Sequence, residues 1–130
     1  MSHFSRIAVQ LDDIEAIKEA CKELGVTLSA GKARVAGYYG DRGSIEADHV
    51  ISIAGCHYQV GLVKNEVTGN YDLVYDKFSG EVEKKLGNNC SKLVQSATYH
   101  KVARHAKLKG YFITKKLTDK GTLHVELTRY

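Results

Sequence analysis

The apolar positions of this chain change period several times, and each change marks an element. Ile7 and Val9 alternate with Arg6, Ala8 and Gln10 between Ser5 and Gln10, the two-residue period of a strand with one buried face. Ile14, Ile17, Cys21 and Leu24 then recur at helical spacing, with Asp13, Glu15, Lys18, Glu19, Lys22 and Glu23 on the wet side. Asp12 is placed to cap this helix, Glu15 completes a capping-box pattern, and Gly25 is placed to end it. Strands are expected at 32–39, 49–54, 58–64 and 71–77, with a glycine-rich turn at 40–43 and a hairpin loop at 66–70. The charged segment between Ser79-Gly80 and Gly87-Asn88-Asn89 suits a helical turn.

A longer helix follows over 91–109. Tyr99, Val102, Ala103 and Ala106 stand at i, i+3, i+4 and i+7 and define its expected buried stripe, with His100, Lys101, Arg104 and Lys107 on the other side. Gly110 stops the helix, a strand runs from Tyr111 to Leu117, and Thr118-Asp119-Lys120-Gly121 turns the chain. Leu123, Val125 and Leu127 then alternate with His124, Glu126 and Thr128 in a last strand. The order β-α-β-β-β-β-α-β-β describes one α+β domain over residues 1–130. Its sheet is mainly antiparallel, and its two principal helices cover one face.

Composition agrees with that picture. At 43% hydrophobic and 26% charged residues the chain is an ordinary globular one, not a disordered one. No apolar run approaches the roughly 18 residues of a membrane span, so no membrane partner is expected. The opening Met1-Ser2-His3-Phe4-Ser5-Arg6 lacks a hydrophobic signal region, so a cytoplasmic location is expected. The three cysteines, Cys21, Cys56 and Cys90, form no close pair, so reduced thiols are expected.

Charge changes the picture more. Residues 1–83 hold 8 Lys/Arg against 13 Asp/Glu, a net −5, whereas residues 84–130 hold 11 against 2, a net +9. Such a split calls for an anionic partner of the second half, or for association of the acidic half with the basic half.

Catalytic patterns are weaker. Five residues separate Gly25 from Gly31, and Ala33 stands where a phosphate-binding loop needs a hydroxyl. Cys56 and His57 are adjacent and His100 and His105 are five apart, spacings that do not chelate a metal together. Asp72 and Asp76 share one strand face about 13 Å apart, too far for a glycosidase pair, so turn or edge roles are expected for them. Cys90 lies near a helix N-terminus, where the dipole would lower its pKa, but spacing assigns it no base. No cofactor and no metal is expected. An enzyme would need a pocket where His3, Tyr38, Asp48 or His49 converge.

The basic segment is the strongest signal. His100, Lys101, Arg104, Lys107, Lys115 and Lys116 are the candidate binding residues, on the helix face and the terminal hairpin. They point to a non-enzymatic binding or adaptor protein that engages an acidic protein partner or another anion. Nucleic acid is the alternative ligand, with salt-sensitive phosphate contacts from the same residues.

The order of motifs also resembles a known family. Met1-Ser2-His3-Phe4-Ser5, Ala47-Asp48-His49-Val50-Ile51, Tyr58-Gln59-Val60-Gly61-Leu62, Gly69-Asn70-Tyr71-Asp72-Leu73-Val74-Tyr75-Asp76 and Leu123-His124-Val125-Glu126-Leu127-Thr128-Arg129 carry the resemblance, which covers nearly the full chain. The family consists of uncharacterised proteins from algal plastid open reading frames, cyanobacteria, other bacteria and phages, grouped as a domain of unknown function. It implies no catalytic residues. The resemblance implies a plastid stroma location if the chain is plastid-encoded, and an AAA-type ATPase system as a partner. The chain departs from the family at Gln59, where an aspartate is common, and at Asp76-Lys77-Phe78, which stands for the family's common Asp-Trp segment in a chain without tryptophan.

Overall fold

The computed structural model describes residues 4–37, 45–78, 80–117 and 123–129, the last two strands through their backbone pairing. The chain runs β1 (Phe4–Ile7), α1 (Ile14–Leu24), β2 (Thr27–Leu28), β3 (Ala33–Arg34), β4 (Glu46–Ala47), β5 (His49–Ser52), β6 (Gln59–Lys64), β7 (Tyr71–Asp76), α2 (Glu81–Leu86), a 3-10 turn (Asn88–Cys90), α3 (Ser91–Leu108), β8 (Tyr111–Leu117) and β9 (Leu123–Arg129). The main sheet has the order β1-β7-β6-β5-β2, and every neighbouring pair is antiparallel. This is the α+β arrangement expected from the periodicity.

Alternation along the strands divides the core in two. Tyr71, Leu73 and Tyr75 of β7, Val60 and Leu62 of β6 and Ile51 of β5 face the helices. They pack with Ile17, Ala20 and Cys21 of α1, Val82 and Leu86 of α2, and Leu93 and Ala97 of α3. A smaller core of Val35, Ala47 and Val50 includes the partly buried Phe4 and Val63, and it lies on the opposite face. The β3–β4 ribbon covers that face. Gly61 permits the approach: a Cβ there would lie 2.5 Å from Val35 Cγ2 and 3.0 Å from the Ala47 Cβ. Gln59 stitches ribbon to sheet, accepting from the Ala36 N–H at 3.0 Å and donating to Ser52 Oγ at 2.9 Å.

Because β7 is covered on both sides, Asp72 and Asp76 are buried, 5% and 1% exposed. Both lie on the ribbon side. Asp72 accepts from Arg6 Nε at 2.8 Å, and Asp76 accepts from the Phe78 N–H at 2.8 Å. Asp76 has the turn role expected, whereas Asp72 does not lie at an edge, because β1 pairs outside β7; it ties β7 to Arg6 of that edge strand.

Several details differ from the sequence reading. Of the strand expected over 32–39, Ala33–Arg34 forms a strand and Gly37 a single bridge, while residues 38–39 lie outside the described residues; the two-residue strands β2 and β4 were not anticipated. Elements that short carry no period. The charged turn after Gly80 is a full helix, α2. The glycine-rich turn at 40–43 and the turn at 118–121 lie outside the described residues.

The helices show the two most informative differences. Asp13, not Asp12, caps α1: its side chain accepts from the Glu15 and Ala16 N–H groups at 3.1 and 3.2 Å. Gly25 ends α1 as expected, at φ 71°. In α3 the buried positions are Leu93, Ser96, Ala97 and Ala106, while Tyr99, Val102 and Ala103 are only half-buried. The expected stripe is therefore corrected. Helix α1 packs along the flank of α3 that carries Leu93 and Ala97, so the buried arc is rotated toward α1, and His100, Lys101 and Arg104 lie along its rim beside α1.

Candidate anion-binding cleft

That rotation decides where the charges go. Lys101 Nζ donates to Asp12 Oδ1 at 2.6 Å, and the Arg104 guanidinium pairs with Asp13 Oδ2. His100 Nε2 lies 3.5 Å from Glu23 Oε2, an ionic distance without hydrogen-bond geometry, and the same Glu23 oxygen accepts from the Ser96 hydroxyl. Three of the six candidate binding residues thus face carboxylates of α1 and its leading loop. Two charges of the basic half, Lys101 and Arg104, are neutralised by the acidic half of the same molecule. The association of acidic half with basic half that the composition suggested is, in this part, intramolecular.

Asp13 serves two purposes at once. One oxygen closes the N-terminus of α1 and the other takes Arg104, and the Arg104 hydrogen bond holds its carboxyl below the usual carboxylate range. Asp12, freed from the capping role, carries the Lys101 pair at the surface. Both side chains of that pair remain well exposed, which limits its worth to about 0–1 kcal/mol.

The Gln10–Asp13 loop and α3 diverge beyond these pairs and enclose a cleft of about 800 Å³. Leu11, Ala16, Val94, Ala97, Val102 and Ala106 give it apolar surface, and Asn70 closes the end beside β7. Lys101, His105 and Lys109 line it at i, i+4 and i+8 of α3 and its cap. That spacing stacks side chains along one side of a helix. A pocket of this size with a few convergent polar groups has the form of a ligand site. Spacing alone would have shown the His105–Lys109 row; the contributions of Asp12, Asn70 and Gln10 come from chain segments distant in sequence.

The remaining candidates separate. Lys107 is exposed, and among the described residues its side chain has no ion pair. Lys115 and Lys116 fall on β8, opposite Val125 and His124 in the ladder. Leu108, 81% exposed, stands between Lys107 and Lys109.

Other chemistry expected or tested from the sequence finds different uses. Asp48 Oδ2 accepts from the Lys64 N–H at 2.7 Å, and His49 Nδ1 lies 3.2 Å from the Ser29 carbonyl with its ring edge-on to Tyr71. His3 and Tyr38 lie outside the described residues. Cys90 does cap α3, but fully buried, and burial pushes its thiol up to about 12, the opposite of the dipole effect. Around it, the buried Tyr75 hydroxyl donates to Glu83 Oε2 at 3.1 Å, and the same oxygen accepts from the Asn89 N–H at 2.5 Å. Asn89 and Cys90 both hold positive φ, 54° and 58°. Gly87 makes the turn possible, since at φ 87° and ψ 168° a Cβ would also meet Ser91 Oγ at 2.6 Å. Among the described residues no group of three or more His, Cys, Asp or Glu is placed to hold a metal ion. None of their helices is long and apolar enough to cross a membrane.

Helix layer, antiparallel sheet and covering ribbon, with one cleft between α3 and the loop that leads into α1, define the class: an α+β domain with a charged, part-apolar recess. Residues 20–125 match the family described as "Protein of unknown function (DUF1257)", and the chain belongs to that family. No curated protein and no solved structure matches it.

Proposed function

We propose that the protein is a non-enzymatic binding or adaptor protein that engages an acidic protein partner or another anion through the C-terminal half of α3 and the terminal hairpin. The supporting observation is the run His105, Lys107, Lys109. These exposed side chains have no side-chain partner among the described residues, whereas Lys101 and Arg104 are already paired. An exposed Leu108 between two lysines adds an apolar contact of the kind a protein partner uses. Tyr99 is half-buried, its ring edge-on to His100, which favours an acidic protein over stacking on nucleic-acid bases. The resemblance to plastid and cyanobacterial proteins makes the cytoplasm or the plastid stroma the compartment, and an AAA-type ATPase system the first partner to try.

The test uses charge reversal away from the α1–α3 pairs. Reversing Lys101 or Arg104 would set like charges against Asp12 and Asp13, so Lys107→Glu, Lys115→Glu and Lys116→Glu are combined instead. Wild type should bind polyglutamate in a salt-sensitive manner, and the triple variant should not. Equal binding by the two proteins refutes the reading. Tighter, salt-steep binding of an oligonucleotide replaces it with the nucleic-acid one.

A further inference from the structure

We infer that the cleft between the Gln10–Asp13 loop and α3 is a binding site for an extended acidic peptide segment, and that Asp12 is its built-in competitor. The inference rests on the anion-binding reading above and makes it specific. Lys101, His105 and Lys109 rise along α3 by about 6 Å per step, roughly 12 Å in all. In an extended peptide, side chains on one side repeat every ~6.6 Å. Carboxylates at alternate residues of such a segment therefore meet the three basic positions in register, within the slack of lysine side chains.

The molecule already shows a carboxylate on this row. Asp12 Oδ1 sits 2.6 Å from Lys101 Nζ, at the end of the row nearest α1. Among the described residues Lys101 is the only side chain bonded to the Asp12 carboxylate. Its neighbour Asp13 is committed to the helix cap and Arg104. One aspartate is structural and the other is displaceable. His105 and Lys109 have no side-chain partner among the described residues, so two of the three positions stand open while Asp12 covers the first. Val94 and Val102, the partly exposed apolar residues beside the row, give the ligand's uncharged groups an apolar wall.

Asp12 and Asp13, the carboxylates of the lining, are already held by Lys101 and Arg104, so the groups left to meet a ligand are those of His105 and Lys109, which favour an acidic occupant over a basic one. A free small anion would use one position and leave the apolar wall and the remaining spacing unused. A segment with repeated carboxylates uses all of them.

The experiment measures fluorescence anisotropy of a labelled synthetic peptide of alternating Glu and Val, with an alternating Gln and Val peptide as control. The proteins are wild type, Asp12→Asn, Lys109→Glu and the Lys107/Lys115/Lys116 triple reversal, each checked for folding by thermal melting. The expected result is tighter binding by Asp12→Asn, about twofold to fivefold, which is the worth of an exposed ion pair. Lys109→Glu should weaken binding about fivefold or more, and the Gln-Val peptide should not bind. If Asp12→Asn and Lys109→Glu bind like wild type while the triple reversal loses binding, the cleft inference is overturned and the broader reading stands. If no protein binds the Glu-Val peptide at low salt although wild type binds polyglutamate, the extended-segment ligand is wrong. If wild type binds neither, the anion-binding reading falls with it.

Discussion

Gly61 offers the sharpest test of how the ribbon is held on the sheet. It lies in the central strand β6, paired with Val50 on one side and Val74 on the other, so its backbone is fixed by two ladders. An alanine Cβ there would stand 2.5 Å from Val35 Cγ2, whereas carbon atoms prefer about 3.5–4.0 Å. Val35 is fully buried, and its N–H is bonded to the Ile45 carbonyl at 2.9 Å, so it cannot retreat without breaking the ribbon. Gly→Ala in a strand would otherwise gain about 0.5–1 kcal/mol of backbone entropy. Overpacking costs about 1–3 kcal/mol and, with a contact this short, falls at the upper end. The clash wins, and Gly61→Ala should destabilise by about 2 kcal/mol. Val35→Ala removes the opposing methyl and costs about 2 kcal/mol as a cavity. The double variant should then cost little more than Val35→Ala alone, a coupling of at least about 1 kcal/mol. Urea unfolding followed by far-UV circular dichroism measures all four proteins. Additive costs, or a Gly61→Ala protein as stable as wild type, would show that the ribbon does not pack on β6 as described.

Asp13→Asn keeps the cap acceptor and loses the charge, whereas Asp13→Ala loses both. Alanine should therefore be less stable than asparagine by about 1 kcal/mol in thermal or urea unfolding. The Asp13 carboxyl titrates below its ordinary value when folded, so its contribution is complete above about pH 4 and disappears as pH falls through the folded value. The stability gap between wild type and Asp13→Asn should accordingly shrink on acidification below about pH 4; a gap that widens refutes the Arg104 pairing. In thiol labelling at pH 8, Cys56 should react in the native protein. Cys21 and Cys90, buried and pushed up to about 11 and about 12, should react only after denaturation. Two fast-reacting thiols would contradict the burial of Cys90. Tyr75→Phe removes one donor from Glu83 and should cost about 1 kcal/mol. Glu83→Ala strips partners from both the buried Tyr75 hydroxyl and the Asn89 N–H, and should cost about 2–3 kcal/mol by the same denaturation assay.

By itself the sequence determined the periodic elements. Helix α1 with its glycine end, the strands β5 to β7, the extent of α3 and the two closing strands all follow from the chain's pattern of apolar residues and turn residues, because each run is long enough to show its character. It also determined that the charge is divided, since composition needs no coordinates. It did not determine what the charges meet. Asp12 and Asp13 are adjacent and chemically equivalent in sequence; only the fit of the cap onto the Glu15 and Ala16 amides makes one a structural residue and leaves the other facing Lys101. Nor does periodicity place the buried arc of α3, because both a Tyr99–Ala106 stripe and a Leu93–Ala97 stripe are available. The packing of α1 on its flank chooses between them. The cleft follows from that choice. Its walls come from residues 10–16, 70 and 94–109, and only the tertiary fold brings an acidic loop beside a basic helix and leaves His105 and Lys109 without a side-chain partner among the described residues.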